Sequence, residues 1–267
     1  MARRRLDAEL VRRGLARSRE HAQQLVADGR VRVAGTTASK PATQVQEAAA
    51  LLVIEGATGP DYVSRGAHKL IGALDRFDPQ GQMVAGRWAL DAGASTGGFT
   101  DVLLRRGAAH VIAVDVGYGQ LAWSLRTDER VTVLDRTNVR GLVVADLPRR
   151  PELVVADLSF ISLRLVVGVL AALVVDGADL LLMVKPQFEV GREALGSGGV
   201  VREPELRESA VLEVARSAWG AGLGTAGAVA SPLPGPSGNV EYFLHLRADA
   251  GPPVPADVRR AVEEGPQ

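Results

Sequence analysis

Five short apolar runs constrain this chain more than any other feature: Arg87–Asp91, Val111–Asp115, Val131–Leu134, Leu153–Asp157 and Leu180–Val184. Each is compact and rich in Val, Leu and Ala, and helix-length segments separate them. Strands buried on both faces read as continuous apolar runs, and their alternation with helical segments predicts a parallel, doubly wound α/β sheet. Val240–Leu246 alternates instead, as a closing antiparallel strand does. The Pro- and charge-rich tail from Ala248 is expected to be irregular and to end in a short helix. There is no internal repeat.

Before this sheet lies a segment of a different kind. The whole chain balances 31 basic against 31 acidic residues, yet residues 1–58 carry ten basic groups and six acidic ones, with no Phe, Trp or Tyr. Leu6, Leu10, Val11 and Leu15 have helical spacing with arginines on the opposite side; Gly14 closes that helix, and Ser18 with Glu20 opens a second that runs to Gly29. Val31–Val33 and Leu51–Ile54 are short β segments, with a turn at Gly35-Thr36. A small α+β unit with a basic helical face is expected. A charge excess of this size is often only a solvated surface. From Arg5 to Gly35, however, the pattern R-L-D-x-x-L-V-x-R-G-L-A-x-S-R-x-x-A-x-x-L-V-x-x-G-x-V-x-V-x-G resembles the S4 RNA-binding domain. Missing aromatics favour phosphate and shape contacts with folded RNA over base stacking. Arg4, Arg5, Arg12, Arg17, Arg19 and Arg30, with Arg65 further on, are the candidate RNA contacts. Gly56-Ala57-Thr58-Gly59-Pro60 is a compositional break. The expected division is an RNA-binding unit at 1–58, a linker at 59–64, a catalytic unit at 65–247 and a tail at 248–267.

The first run leads into Leu90-Asp91-Ala92-Gly93-Ala94-Ser95-Thr96-Gly97-Gly98-Phe99 and then a helix. Glycines there allow a tight turn and close backbone approach to a ligand. A phosphate-binding P-loop would need Lys before Ser/Thr at the helix start, and a dinucleotide site would usually show G-x-G-x-x-G. Asp91, two residues before the first glycine, suits a cationic ligand bearing an amino acid, which points to S-adenosylmethionine (SAM). Asp115, ending the second run, is placed for ribose hydroxyls, and Asp135, after the third, for the adenine edge. One Asp at a strand end is most often a solvated cap; three expected in register on successive strands argue for a site. Gly93, Ser95, Gly97, Gly98, Phe99, Asn138 and Asp157 complete the expected cofactor contacts.

Only three of the basic residues are lysine: Lys40, Lys69 and Lys185. Lys185 follows the apolar run Leu180–Val184, a poor position for simple solvation of an ammonium. Asp157 ends the fourth run in D-L-S-F, not the proline-rich turn of amino-group methyltransferases. Lys69 on a helix and Glu241 on the last strand would each, alone, read as solvent-facing. Together the four residues resemble the Lys-Asp-Lys-Glu tetrad of the FtsJ-like ribose 2′-O-methyltransferases. Nearly the whole chain resembles the TlyA family, through Y-V-S-R-G-A-H-K-L (62–70), L-D-A-G-A-S-T-G-G-F-T-D (90–101), A-V-D-V-G-Y-G-Q-L-A-W (113–123), D-L-S-F-I-S-L (157–163) and V-K-P-Q-F-E-V-G (184–191). The stretch D-R-T-N (135–138) stands where that family has E-R-T-N, so Asp135 keeps the carboxylate but shortens its reach.

The resemblance implies SAM-dependent 2′-O-methylation of cytidines in 16S and 23S ribosomal RNA, an effect on susceptibility to capreomycin-type antibiotics, and ribosomal subunits as partners. Lys185 would act as base or orient the hydroxyl, Asp157 and Glu241 would hold the lysines, and Lys69 would contact the hydroxyl or an adjacent phosphate. Members of the family have also been called haemolysins. The competing readings are therefore a membrane-lytic protein and a non-catalytic RNA-binding protein.

Other features narrow the classes. With no cysteine there is no disulfide scaffold and no thiol chemistry, and a reducing cytoplasm is the simplest compartment. The longest apolar stretch, Leu165–Val175, has 11 residues, against the roughly 20 a membrane helix needs, and reads as a buried helix. No apolar stretch follows the Arg-rich start, so no secretory signal is expected. His110 and His245 are expected to finish strands without ligand-like partners, so no metal site is expected. Trp123 is expected to pack against the sheet, and Gly191–Gly199 to form a loop near the cofactor.

Overall fold

The computed structural model describes residues 3–16, 18–27, 29–54, 62–235 and 237–266. Arg17, the boundary at residue 58 and linker residues 59–61 lie outside them. The chain forms two compact units, Met1–Ser64 and Arg65–Gln267.

The first unit runs β1 (Arg3–Arg5), α1 (Leu6–Arg12), α2 (Arg19–Ala27), β2 (Val31–Val33), β3 (Thr36–Thr37), β4 (Gln44–Gln46) and β5 (Leu51–Val53). Leu6 and Leu10, one helical turn apart, point from α1 into a core shared with Ala22, Leu25, Val31 and Val45. β2 lies between β3 and β5, while β1 pairs antiparallel with β4. The β1–β4 ribbon was not anticipated; its polar, short strands have no apolar alternation to mark them.

The second unit runs α3 (Ala67–Phe77), β6 (Trp88–Ala92), α4 (Gly98–Arg105), β7 (His110–Val114), α5 (Trp123–Arg126), β8 (Val131–Leu134), β9 (Leu153–Ala156), α6 (Val167–Leu173), β10 (Asp179–Val184), α7 (Pro186–Glu189), α8 (Pro204–Gly220), β11 (Gly224–Ala230), β12 (Tyr242–Arg247) and α9 (Pro255–Glu263). Its seven strands are ordered β11-β12-β10-β9-β6-β7-β8. The five apolar runs pair in parallel, and β12 runs antiparallel to both β10 and β11. Strand order reverses between β6 and β9, the place where open α/β sheets bind ligands beyond the strand tips.

Several expectations need correction. β11 was not foreseen: Gly-Thr-Ala-Gly-Ala-Val-Ala has poor strand propensity, and pairing along β12 holds it in place. Glu241 immediately precedes β12 instead of lying on it. Trp123 does not pack against the sheet; it opens α5 with 76% of its surface exposed. His110 opens β7 and stacks on Trp88, and His245 lies within β12 bonded to Asp179 at 2.7 Å. Within Leu165–Val175, the helix begins only at Val167; Leu170 and Leu173 are buried and Leu165 is exposed.

Candidate active site

The turn from β6 to α4 is built around two glycines that no other residue could replace without strain. Gly93 has φ +87°, and a Cβ there would lie 2.6 Å from the carbonyl oxygen of Asp157. Gly97 caps α4 at φ +98°, and a Cβ would strike Leu125 and Leu121. Gly98 and Phe99 are buried in the first turn of α4, with the Phe99 ring tilted against Phe243 in the interior. Asp115 binds two successive turns together: Oδ2 accepts from the Ser95 amide at 2.8 Å and Oδ1 from the Gly117 amide at 2.7 Å.

Asp91 differs from the other acids. It lies inside β6, paired with Ala113, two positions below the level of Asp115, whereas Asp115 and Asp135 follow the Val114–Leu134 pair at one level. The three are thus not in register, because β6 continues past Asp91 to Ala92. The Asp91 side chain is fully buried; Oδ2 accepts from Thr100 Oγ1 at 2.7 Å, and Oδ1 has no hydrogen-bond partner among the described residues. Burial pushes its carboxyl up to about 7, with the negative charges of Asp157 and Asp115 adding to the effect.

At the β8 tip, Asp135 accepts from Arg126 Nη1 at 2.8 Å, which holds its carboxyl below the usual range. Asn138 accepts from the Arg140 amide at 3.0 Å and so caps a short 3₁₀ turn, Val139–Gly141. It also lines an open hollow of about 540 Å³ with Leu134, Arg136 and Asp146.

On the other side of the switch point, strand register assembles a second cluster. Leu182 pairs with Ala156 and Val184 with Tyr242, so Asp157, Lys185 and Glu241 emerge from three neighbouring strands. Lys185 Nζ lies 2.6 Å from Asp157 Oδ1 and donates to Ser159 Oγ at 2.8 Å. From the first turn of α3, Lys69 Nζ donates to Glu241 Oε2 at 2.6 Å. Both lysine side chains are 9% exposed and that of Glu241 is 1% exposed, so neither lysine is a solvated surface group. An ammonium held this far from water is sustained by its carboxylate partner. Two amines and two acids thus collect at the tips of β9, β10 and β12, with Asp157 against the Gly93 turn, a set suited to holding a hydroxyl and managing its proton.

Sequence reasoning assigned no role to Ser159 or Glu189. Both sit in stretches quoted for the family resemblance, which was their only signal.

The arginines of the first unit are partly committed to internal acids. Asp7 and Glu9 are buried in α1. Arg5 and Arg19 converge on Asp7, at 2.7 and 3.3 Å, and Arg12 and Arg13 bracket Glu9, both at 2.7 Å. The Arg12 and Arg13 guanidinium groups hold the Glu9 carboxyl down at about 2. Arg4 is exposed on β1, Arg30 Nε donates to the Ile54 carbonyl at 3.0 Å, and Arg65 is exposed before α3. Among the described residues, no helix is long and apolar enough to cross a membrane and no group of His, Cys, Asp and Glu could hold a metal ion.

A family model described as FtsJ-like methyltransferase matches residues 62–248, and one for the S4 domain matches residues 4–50. The chain is 58% identical to the 16S/23S rRNA (cytidine-2′-O)-methyltransferase TlyA of Mycobacterium tuberculosis, over 100% of both chains. It is 33% identical to Hemolysin A of Brachyspira hyodysenteriae, covering 91% of this chain and 99% of that one. A solved structure from Streptococcus thermophilus that carries the name hemolysin is 38% identical, with a TM-score of 0.77, covering 99% of this chain and 96% of that one. With a glycine turn at the β6 tip, paired lysines and acids beyond β9, β10 and β12, and an S4 unit in front, the chain belongs to the FtsJ-like methyltransferases, in the S4-bearing TlyA family.

Proposed function

We propose that this enzyme transfers the methyl group of SAM to the 2′-hydroxyl of cytidines in 16S and 23S ribosomal RNA. The carrying observation is the two lysine–carboxylate pairs at the strand tips, the buried Lys69–Glu241 and the partly buried Lys185–Asp157, with Asp157 packed against the Gly93 turn. The activity named for the 58% identical relative supports the same substrate.

The residues fit SAM. The orphaned Asp91 Oδ1 offers an acceptor to a cationic ligand, the Gly93 turn leaves no room for a side chain, and Asp115 can accept further hydrogen bonds from ribose hydroxyls. Bound there, the cofactor supplies an electrophilic methyl group and its own leaving group. Lys185, fixed by Asp157 and Ser159, orients the 2′-hydroxyl, or, once its ammonium has given up a proton, serves as the base that takes the hydroxyl proton, while Lys69, fixed by Glu241, holds the hydroxyl or an adjacent phosphate. Asp135 and Asn138 serve the adenosine end.

The first unit captures folded ribosomal RNA through phosphate and shape contacts from Arg4, Arg5, Arg12, Arg17, Arg19 and Arg30, with Arg65 helping from the second unit. The cytoplasm, where ribosomes are assembled, is the site of action, and altered susceptibility to capreomycin-type antibiotics is the expected consequence. Membrane lysis comes with the hemolysin name that some relatives carry; the strand-tip ion pairs have no part in it, and dye release from liposomes would be its signature. Calorimetry without SAM binding would favour a non-catalytic RNA-binding protein.

Mapping ribose methylation in ribosomes from cells with and without this enzyme tests the proposal. Cytidine 2′-O-methyl marks should be lost without it and return with the wild-type enzyme, not with Lys185→Ala. Unchanged marks would overturn it.

A further inference from the structure

The segment Asp157–Leu163 carries one of the four residues of the catalytic cluster, Asp157, and the Ser159 contact to another, Lys185, yet it is irregular backbone between β9 and α6. Two side-chain contacts pin it. At one end, Ser159 Oγ accepts from Lys185 Nζ at 2.8 Å. At the other, Glu189 reaches out of α7: Oε2 accepts from Ser162 Oγ at 2.5 Å and Oε1 from the Leu163 amide at 2.7 Å. Arg164 approaches the same carboxylate at 3.5 Å. The Glu189 side chain is 1% exposed, which is costly for an acid unless its acceptor sites are used.

These contacts close a ring. Lys185 is the residue that caps α7, and Phe188 donates its amide to the Lys185 carbonyl at 2.9 Å, so Glu189 is tied to Lys185 by one helical turn. The path then runs from Glu189 to Ser162, back along the chain to Ser159, and across to Lys185. Between the two anchors sits Phe160, at φ +63° and 91% exposed. A bulky residue in the left-handed region stores strain, and such a conformation persists only where its surroundings over-determine it. Among the described residues its ring meets that of Phe188, at 5.2 Å between centroids. The anchors at Ser159 and Ser162 therefore supply the constraint.

We propose that Glu189 is a positioning residue for methyl transfer, acting through Ser162 to hold the Asp157–Ser159 segment at the distance from Lys185 that the reaction requires. The inference rests on the tetrad reading given above. Glu189 touches neither Lys185 Nζ nor Asp157; its influence passes through the loop. Misplacement of reacting groups by about 1 Å costs on the order of a hundredfold in rate, so loosening the loop lowers turnover without touching the cofactor turn.

The test uses the full-length enzyme, ribosomal subunits and radiolabelled SAM, with variants Glu189→Gln, Ser162→Ala, the double variant and Lys185→Ala. Glu189→Gln and Ser162→Ala are each expected to lower kcat by about ten- to a hundredfold, with KM for RNA and calorimetric SAM affinity within about twofold. The double variant should lose no more than the worse single one, because both act through one contact. Ser162→Ala, which removes only a hydroxyl, gives the answer if Glu189→Gln fails to fold. Full kcat in a folded Ser162→Ala or Glu189→Gln enzyme, or multiplied losses in the double variant, would overturn the inference. An active Lys185→Ala enzyme would instead overturn the tetrad reading itself.

Discussion

Gly93 and Asp157 meet backbone to backbone: any Cβ on Gly93 would press to 2.6 Å from the Asp157 carbonyl oxygen. The turn of the cofactor side and the tip of the catalytic side are thus one packed unit. Gly93→Ala forces both a positive φ, here +87°, and this clash, strain of about 1–3 kcal/mol or more. SAM affinity and kcat should fall together, each by about tenfold or more, as read by calorimetry and single-turnover assays.

Removing Lys185 or Asp157 deletes the group that handles the hydroxyl proton or its support. Lys185→Ala and Asp157→Ala should lower turnover by about a hundredfold or more, with RNA affinity within about twofold in filter-binding assays.

Lys69 and Glu241 pose a different problem, because each is the other's buried counter-charge at 2.6 Å. Glu241→Ala strands the Lys69 ammonium and should destabilise the enzyme by about 3 kcal/mol. Lys69→Ala/Glu241→Ala together should recover part of that loss while remaining inactive. Urea denaturation of the single and double variants checks it.

The Asp91 carboxyl titrates at about 7 in the folded chain against an ordinary 3.8. Between those values the folded state keeps a proton that the unfolded chain releases, so stability conferred by the neutral acid is complete below about 4 and lost as pH rises through about 7. The cofactor-free enzyme should therefore be less stable at pH 8 than at pH 5, and Asp91→Asn should flatten that difference in denaturant titrations.

In the first unit, arginines with different tasks are separable. Arg12 bonds the buried Glu9 and Arg4 is exposed on β1. Arg4→Gln should reduce the slope of log affinity against log salt by about 0.7–0.9 without lowering stability. Arg12→Gln should also destabilise the unit. Glu9 is held at about 2 against an ordinary 4.5, so its contribution is complete above about 4.5 and lost as pH falls toward 2; acid titration followed by circular dichroism reads it.

Much of this molecule is written locally. Continuous apolar runs specify buried parallel strands, helical spacing of Leu6 and Leu10 specifies α1, and glycines before a helix specify a ligand turn, because each signal depends on residues a few positions apart. What the runs do not carry is which partner a polar side chain will find. Lys69 meets Glu241 across 172 residues of chain, Asp91 sinks two positions below Asp115, Glu189 reaches back to Ser162, and Trp123 turns outward. β11, weak in local propensity, exists because β12 offers it an edge. Local pattern sets the kind of element, since backbone geometry repeats over short distances. Pairing and burial belong to the assembled sheet, where strand order and register decide which charges are taken out of water together.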